Sequence, residues 1–506
     1  MRDTEGLRVI NKISFEKYKS FNSLEGMTIK PITILCGTNS CGKSSILQSI
    51  LMYKQTFESQ NPNQIVLLNG RFTHLGTFES IIYGKNPEGN LSIEFTFKVK
   101  KEDFQGKDNA VPLTYHLREF ISRERFHEKN AEYFITIKIT LSTISEKIKK
   151  YMQSVRVEKW EFILRTTTEN QKEYPDVKIE LTHQKNNNYK VKWENLIVRF
   201  IDDEGENATG EGIVNVGFSN LMPTFWRINH EENKSRITSN VVFASTRIAI
   251  LMKSLFSLYT YIGPLREEPS RRYIYENEVL EIGTKGENAA FIYLTEQENP
   301  IKNHYFFNNN TFISEKEIKL SDAIERWMSL FGIKEFKPEQ QNELIYLNMN
   351  SSLFDKTRVN IAEVGFGVSQ LFPIVLEGLR MPVMSTLLLE QPEIHLHPKL
   401  QMQMADFFIA LALSNKKVIV ETHSDHLINR LIRRIVEDES GTLLNLISIY
   451  FVTPSEHGSC YEEVKVDEYN GIVNWPVDFF DQTATEQEGI ILAGIEKRRK
   501  RREQKK

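Results

Sequence analysis

Apolar and polar residues change their period several times along this chain. Leu7–Phe21 (LRVINKISFEKYKSF) predicts a first strand, and Met27–Leu35 (MTIKPITIL) a second that runs into a Gly-rich turn. From Ser44 to Phe57 the period becomes helical, with Ile46, Ile50 and Leu51 on one side. The middle then alternates. Leu91–Lys100, Tyr133–Ser142, Val157–Thr166, Val177–Thr182 and Tyr189–Phe200 each predict a half-buried strand. Helical period returns at Thr246–Thr260 and Ser321–Phe331, the Asn-rich Asn299–Asn310 predicts a loop, and alternation resumes at Leu344–Met349. The last third predicts helices at Gln370–Leu379 and Pro398–Leu413, and buried strands at Met384–Leu389 and Lys417–Glu421. The expectation is an α/β pattern at both ends of the chain, with a β-rich region of about 90–235 inserted between them. No heptads persist, which argues against a long coiled-coil arm.

Composition adds a class and a compartment. The 506 residues suggest about three units, and 40% hydrophobic with 26% charged residues suits a soluble globular protein. The formal charge of −3 hides an asymmetry. Glu496–Lys506 holds eight Lys/Arg and two Glu, leaving 56 basic against 65 acidic residues elsewhere. A nucleic-acid contact must therefore be a local patch. Three cysteines (Cys36, Cys41, Cys460) support neither a disulfide framework nor a Cys-rich zinc site. The opening MRDTEG lacks a leader's apolar core, and the apolar stretch Ile248–Leu265 carries Lys253 and ends near Gly-Pro. The expected location is the cytoplasm, with no membrane partner.

The strongest chemistry lies at Gly37-Thr38-Asn39-Ser40-Cys41-Gly42-Lys43-Ser44, a full match to G-x-x-x-x-G-K-[ST] between an apolar strand and a helix. Glycines let successive N–H groups turn inward on a phosphate, and the helix N-terminus adds its dipole. Lys43 would meet the β/γ-phosphates and the Ser44 hydroxyl would meet Mg²⁺. Gly37, Asn39, Gly42 and Ser45 complete the expected ATP-binding set.

A second strand, Met384–Leu389, ends in Glu390-Gln391-Pro392-Glu393. Such a site needs a carboxylate at a neighbouring strand tip for the magnesium shell, and Glu390 is placed for it. The next position commonly carries a base. Gln391 cannot take a proton but can orient water, so turnover would be slow or depend on another group such as Glu393. His423 follows the Val418–Glu421 strand, where an imidazole could bond the γ-phosphate. The pairs His395/His397 and His423/His426 also admit a metal reading, though their spacing matches no closed zinc site. Gly365-Phe366-Gly367-Val368-Ser369-Gln370 precedes an apolar helix and forms a second anion nest. One subunit has no use for two nests around one triphosphate. Gly367, Ser369 and Gln370 would then serve the nucleotide of a second copy.

These elements, in this order, resemble the ABC-type ATPases of the overcoming-lysogenization-defect and RecF/SMC-like group. ISFEKYKSF is similar to that group's first strand. Within it, EVGFGVSQLFPIV, LLLEQPEIHLHPKLQ, ETHSDHLINRL, YIGPLREEPSRRY (Tyr261–Tyr273), GTKGENAA (Gly283–Ala290) and the tail Asp467–Gln482 resemble ATPases carrying a DUF3696 tail. Such ATPases occur in bacterial anti-phage systems, and the chain resembles the PtuA-like ATPases of Septu systems, which work with a separate HNH nuclease. The resemblance implies Walker A at 37–44, a signature-like segment at 365–370, Walker B at 387–391, a D-loop-like segment at 393–398 and a switch histidine at His423. It also implies catalytic roles for Glu390, Gln391 and His423, and metal-holding roles for Ser44 and Glu390. Glu390 and Gln391 depart from the group's commoner Asp-Glu pair.

The expected organisation is 1–90 and 361–465 as the two parts of the head, 91–235 the β-rich insertion, 236–360 a connecting region and 466–506 the tail. The 83 residues after His423 contain no D-x-D, as a TOPRIM nuclease would need, and no H-N-H-like cluster. The resulting expectation is an ATP-sandwich dimer, or higher oligomer, that regulates a separate nuclease. The rivals are a DNA-repair or chromosome-maintenance ATPase and a transporter subunit. The basic tail reads equally as a foot on DNA or an acidic partner and as a frayed terminus. Thr485–Ile495 predicts a short helix with Ile490, Ile491 and Ile495 available for packing.

Overall fold

The computed structural model describes residues 9–86, 89–100, 120, 131–144, 155–168, 174–198, 206–227, 235–274, 281–350, 357–476 and 482–503. Residues 7–8 of the first predicted strand, 199–200 of the fifth middle strand and 477–481 of the tail motif lie outside them, as do 504–506.

The first expected strand forms and ends at Tyr18, with only Phe21 passing into the next strand. β1 (Val9–Tyr18) turns through Lys19, at a φ of 53°, into β2 (Phe21–Thr28), and they pair antiparallel. The second expected strand is broken. Met27 and Thr28 end β2, while β3 (Ile32–Gly37) starts after Pro31, which has no N–H for a ladder. α1 (Lys43–Glu58) follows. β4 (Asn90–Lys100), β5 (Glu132–Thr143), β6 (Val155–Thr167), β7 (Val177–Lys185), β8 (Asn188–Val198), β9 (Glu206–Ser219) and β10 (Met222–Arg227) are the alternating segments. They do not form a sheet of their own. β4 pairs with β1, giving one antiparallel sheet in the order β10-β9-β8-β7-β6-β5-β4-β1-β2.

α2 (Ser235–Phe256) starts earlier than the apolar run suggests, and Thr260 falls in β11 (Tyr259–Ile262). β12 (Tyr273–Ile274) and α3 (Ala289–Glu296) follow. The Asn-rich segment is a hairpin rather than a loop, formed by β13 (Pro300–Asn308) and β14 (Thr311–Lys319). Only Asn309 and Asn310 turn, both at positive φ, which asparagine tolerates better than other non-glycine residues. Then come α4 (Leu320–Leu330), β15 (Lys337–Gln341), β16 (Leu344–Asn350), β17 (Arg358–Asn360) and α5 (Phe366–Arg380). The remainder is β18 (Thr386–Glu390), α6 (Pro398–Leu413), β19 (Lys417–Glu421), α7 (Asp425–Glu437), β20 (Ile447–Ser455), β21 (Gly458–Glu463), the small pair β22 (Val466–Asp467) and β23 (Gly471–Ile472), and α8 (Gln482–Glu503).

The second large sheet joins the two chain ends, in the order β11-β18-β19-β3-β20-β21. Its first five strands are parallel. Because both faces are covered, successive residues enter different cores. Ile32, Ile34 and Cys36 face α3–α7, while Leu35 faces α1 and the antiparallel sheet. α1 is enclosed by α2 and both sheets, so its residues are buried nearly all round. Tyr53 fixes this layer, with its ring 4.9 Å from Phe95 of β4 and 5.7 Å from Phe256 of α2. The hydroxyl of Tyr259 accepts the Ile10 N–H at 2.7 Å and ties the first strand to β11.

The expected short tail helix is longer, and in α8 Ile490, Ile491 and Ile495 are 70%, 63% and 57% exposed, so they are left available for packing. No helix among the described residues is long and apolar enough to cross a membrane.

His304 in β13 reports on this fold. It is 3% exposed, its Nε2 has no partner, and its pKa is lowered to about 4, first by burial and then by Lys416. Between pH 6.5 and 4 the unfolded chain binds the extra proton and the folded one does not. The stabilising difference is full above 6.5 and lost as pH falls through this window. We expect a loss of about 3 kcal/mol from this group, read from urea midpoints at each pH and flattened in His304→Phe.

Candidate nucleotide site

β3 ends in the loop 37–44, and α1 begins at Lys43 with Gly42 as its cap. Two glycines here are required by the backbone. Gly37 has φ 136°, and a Cβ on it would overlap the Val452 carbonyl oxygen; Gly42 has φ 98°, and a Cβ on it would overlap the Ser20 hydroxyl. Lys43 is 3% exposed. Its ammonium donates to the carbonyls of Gly37 (3.1 Å) and Thr38 (2.6 Å). Asn39 is exposed, Ser45 is buried, and the Ser45 N–H caps onto the Gly42 carbonyl at 3.0 Å.

Two carboxylates stand at the ends of the next strands. β19 lies between β3 and β18, and the ladder pairs Glu390 with Glu421 and Glu421 with Leu35. The Ser44 hydroxyl donates to Glu421 Oε1 at 3.0 Å, and Tyr261 Oη donates to Glu390 Oε1 at 3.0 Å. Burial, then the neighbouring Glu421 carboxylate, pushes Glu390 up to about 7, against the Tyr261 hydroxyl and the Lys19 ammonium. Glu421 is raised by burial, opposed by the Ser44 hydroxyl and Lys43.

The segment after Glu390 is held by backbone bonds. Gln391 sits at φ 45°, and its N–H donates to the Glu421 carbonyl at 2.7 Å. Arg266 is 5% exposed and donates to the carbonyls of Glu390 and Gln391, both at 3.0 Å. Burial lowers its pKa to about 10, so it is still a cation at neutral pH. Glu393 Oε1 accepts the His423 N–H at 2.6 Å, and burial raises the Glu393 carboxyl. The His423 side chain is exposed; partial burial and then the Lys43 charge lower its pKa. Among the described residues no three His, Cys, Asp or Glu groups form a metal cage, so the histidine pairs do not supply one there.

The structure thus brings Gly37, Gly42, Lys43, Ser44, Glu390, Gln391 and His423 to adjacent strand ends. Gly367, Ser369 and Gln370 belong to α5, which packs on α3, α4 and α6. Ser369 and Gln370 are buried, donating to the carbonyls of Phe366 (2.8 Å) and Glu267 (3.4 Å) of their own chain. The accessible part of that segment is Gly365 and Phe366, with Gly367 half-buried. Tyr261, Arg266, Lys19 and Glu421 received no role from the sequence. The first two sit inside the YIGPLREEPSRRY motif, which is their local signal; Glu421 directly precedes Thr-His, and its place beside Ser44 comes only from the strand order. Beside the loop, an open cleft of about 650 Å³ is lined by Lys19, Ser20, Ser40, Ser45 and Lys85 among others.

No curated protein matches the chain in sequence. Similar solved structures include an SMC head bound to the C-winged helix domain of ScpA, with TM-score 0.38 and 11% identity, covering 90% of this chain and 98% of that one. The SMC head domain from Thermotoga maritima gives 0.33 and 11%, covering 90% and 100%. An Smc head with an extended coiled coil, bound to a ScpA C-terminal domain from Pyrococcus furiosus, gives 0.33 and 10%, covering 90% and 96%. Residues 9–428 match the model of the AAA ATPase domain, a span that runs from β1 through the loop 37–44, Glu390 and His423 into α7. The chain belongs to the AAA ATPase domain family.

Proposed function

We propose that this ATPase binds Mg-ATP between two copies of itself and acts as the sensor or regulatory subunit of an anti-phage complex. In this reading it has a DUF3696-type tail, is PtuA-like, and controls a separate HNH nuclease. The observation that carries the nucleotide part is the convergence of Lys43, Ser44, Glu390, Gln391 and His423 at the carboxyl ends of neighbouring parallel strands. This is the end where such sheets place ligands.

Loop N–H groups would cradle the β-phosphate, and Lys43 would exchange its two carbonyl partners for phosphate oxygens. Ser44 and one of the carboxylates at the neighbouring strand tips, Glu390 or Glu421, fit a magnesium ion by their oxygen chemistry; when bound, the ion would neutralise charge on the β/γ oxygens. Lys19 and Lys85 add positive charge to the adjoining cleft. Gln391 would orient water and His423 would face the γ-phosphate, with Glu393 the nearest alternative base. The second copy would present the open N-terminus of its Phe366–Arg380 helix. Because Ser369 and Gln370 are buried, that contact falls to backbone N–H groups at Gly365–Gly367.

The tail supports a docking role. α8 exposes four apolar side chains, Ile490, Ile491, Leu492 and Ile495, next to exposed Lys497 and Arg498. That pairing suits an effector protein or DNA reached through it. An SMC/RecF-like repair role remains the second reading, favoured by the same basic segment, and predicts DNA-stimulated hydrolysis.

The test is to purify the chain with the product of the neighbouring open reading frame and measure mass with and without ATP and magnesium. We expect nucleotide to double the mass of the ATPase and an HNH protein to co-purify. An unchanged mass would remove the sandwich, and a partner without a nuclease would remove the defence assignment.

A further inference from the structure

Resting on the nucleotide reading above, we infer that Glu421 is the direct protein carboxylate for the nucleotide's divalent cation, with Ser44, and that Glu390 stands outside it. Four observations converge. The Ser44 hydroxyl is bonded to Glu421 Oε1 at 3.0 Å, so the residue expected to meet the metal already faces this carboxylate. Glu421 is 5% exposed, and its second oxygen, Oε2, is buried with no partner. A buried carboxylate oxygen without a donor is costly unless a cation or donor arrives.

Strand order supplies the third. Neighbouring strands lie about 4.8 Å apart, so β19 places Glu421 one spacing from the phosphate-loop strand, and β18 places Glu390 two spacings away, roughly 10 Å. The fourth is occupancy. Tyr261 belongs to β11, on the far side of β18, and its hydroxyl already donates to Glu390 Oε1, whereas Glu421 Oε2 is buried with no donor. A hydroxyl and a carboxylate are the hard oxygen donors that magnesium prefers, and phosphate oxygens and water complete its shell. In this arrangement Glu390 and Tyr261 buttress the inner site.

The test uses the full chain, a non-hydrolysable ATP analogue and Mn²⁺ as the probe, with free Mn²⁺ counted by its paramagnetic resonance signal. Glu421→Gln leaves an oxygen to accept from Ser44 but removes the charge. It is expected to weaken Mn²⁺ binding to the nucleotide complex at least tenfold, while metal-free nucleotide affinity changes less than about twofold. Glu390→Gln is expected to weaken Mn²⁺ less than about threefold. Glu421→Asp keeps the charge one methylene short, should fold as wild type, and is expected to fall between the two. Unchanged Mn²⁺ affinity in both Glu421 variants, or a larger loss in Glu390→Gln, overturns the assignment while leaving nucleotide binding intact. A wild-type chain that binds no nucleotide at all overturns the underlying function instead.

Discussion

Lys43→Ala is expected to abolish measurable nucleotide binding, a loss of at least a hundredfold by calorimetry. The ammonium is the one cation built into the loop itself, and it is nearly enclosed there. Charge-assisted bonds to phosphate contribute more than neutral ones, and removing one held in such an enclosed loop costs about 3 kcal/mol or more of binding. Folding should be affected far less. The two carbonyls that Lys43 leaves behind belong to Gly37, which is half-buried, and to Thr38, which is exposed, so water replaces the lost donor. We expect the melting curve to stay within about 1 kcal/mol of wild type. This contrast separates a ligand-holding lysine from a structural one. Normal affinity in the variant would contradict the phosphate role outright.

How far the chain could be read without coordinates depended on whether the information was local. The loop 37–44 is contiguous, and its glycines, lysine and serine are recognisable at fixed offsets. The strands β18 and β19 and the helix α6 were equally plain, because an unbroken apolar run bounded by turn residues has few alternatives. Position within the sheet is a different kind of fact. Nothing near Glu421 says that β19 sits between β3 and β18, because Ser44 lies 377 residues away along the chain. A glutamate at a strand end then reads as ordinary solvent-facing polarity. The Phe366–Arg380 helix starts at Phe366, ahead of the apolar stretch that announced it, so Ser369 and Gln370 fall inside the packed part and turn into their own subunit. The Asn-rich hairpin was hidden by composition. Asparagine density suggested a loop, although the alternation of Ile301, Tyr305 and Phe307 with polar residues was present. In the tail, periodicity located a helix but could not say whether the rest of the molecule covers it.

Asp406→Ala is expected to produce the largest loss of stability, about 3–5 kcal/mol. Asp406 is fully buried in α6 and holds two arginines of α7. Arg430 donates through Nη2 at 2.8 Å and Arg434 through Nε at 2.7 Å. Arg434 is itself 3% exposed and lies 4.1 Å from the Phe307 ring of the Asn-rich hairpin. Among the described residues, removing the carboxylate leaves one guanidinium deeply buried with Glu437 as its remaining anionic partner, and a second half-buried without one. That cost is larger than the net value of the intact cluster, since pairing charges in an interior only offsets their desolvation. A triple variant, Asp406→Leu with Arg430→Met and Arg434→Met, should therefore recover most of the loss. The consequence reaches the nucleotide site. α6 begins just after His397 and α7 just after Ser424, and Ser424 Oγ donates to Gln401 Oε1 at 2.6 Å. A loosened α6–α7 brace frees both the segment behind Glu390 and the His423 turn. Denaturant midpoints should fall without a change in slope, and nucleotide affinity should fall with them. If Asp406→Ala unfolds at the wild-type midpoint, the brace has no energetic role, and the placement of His423 must rest on Glu393 and on the Thr422 N–H bond to the Leu35 carbonyl.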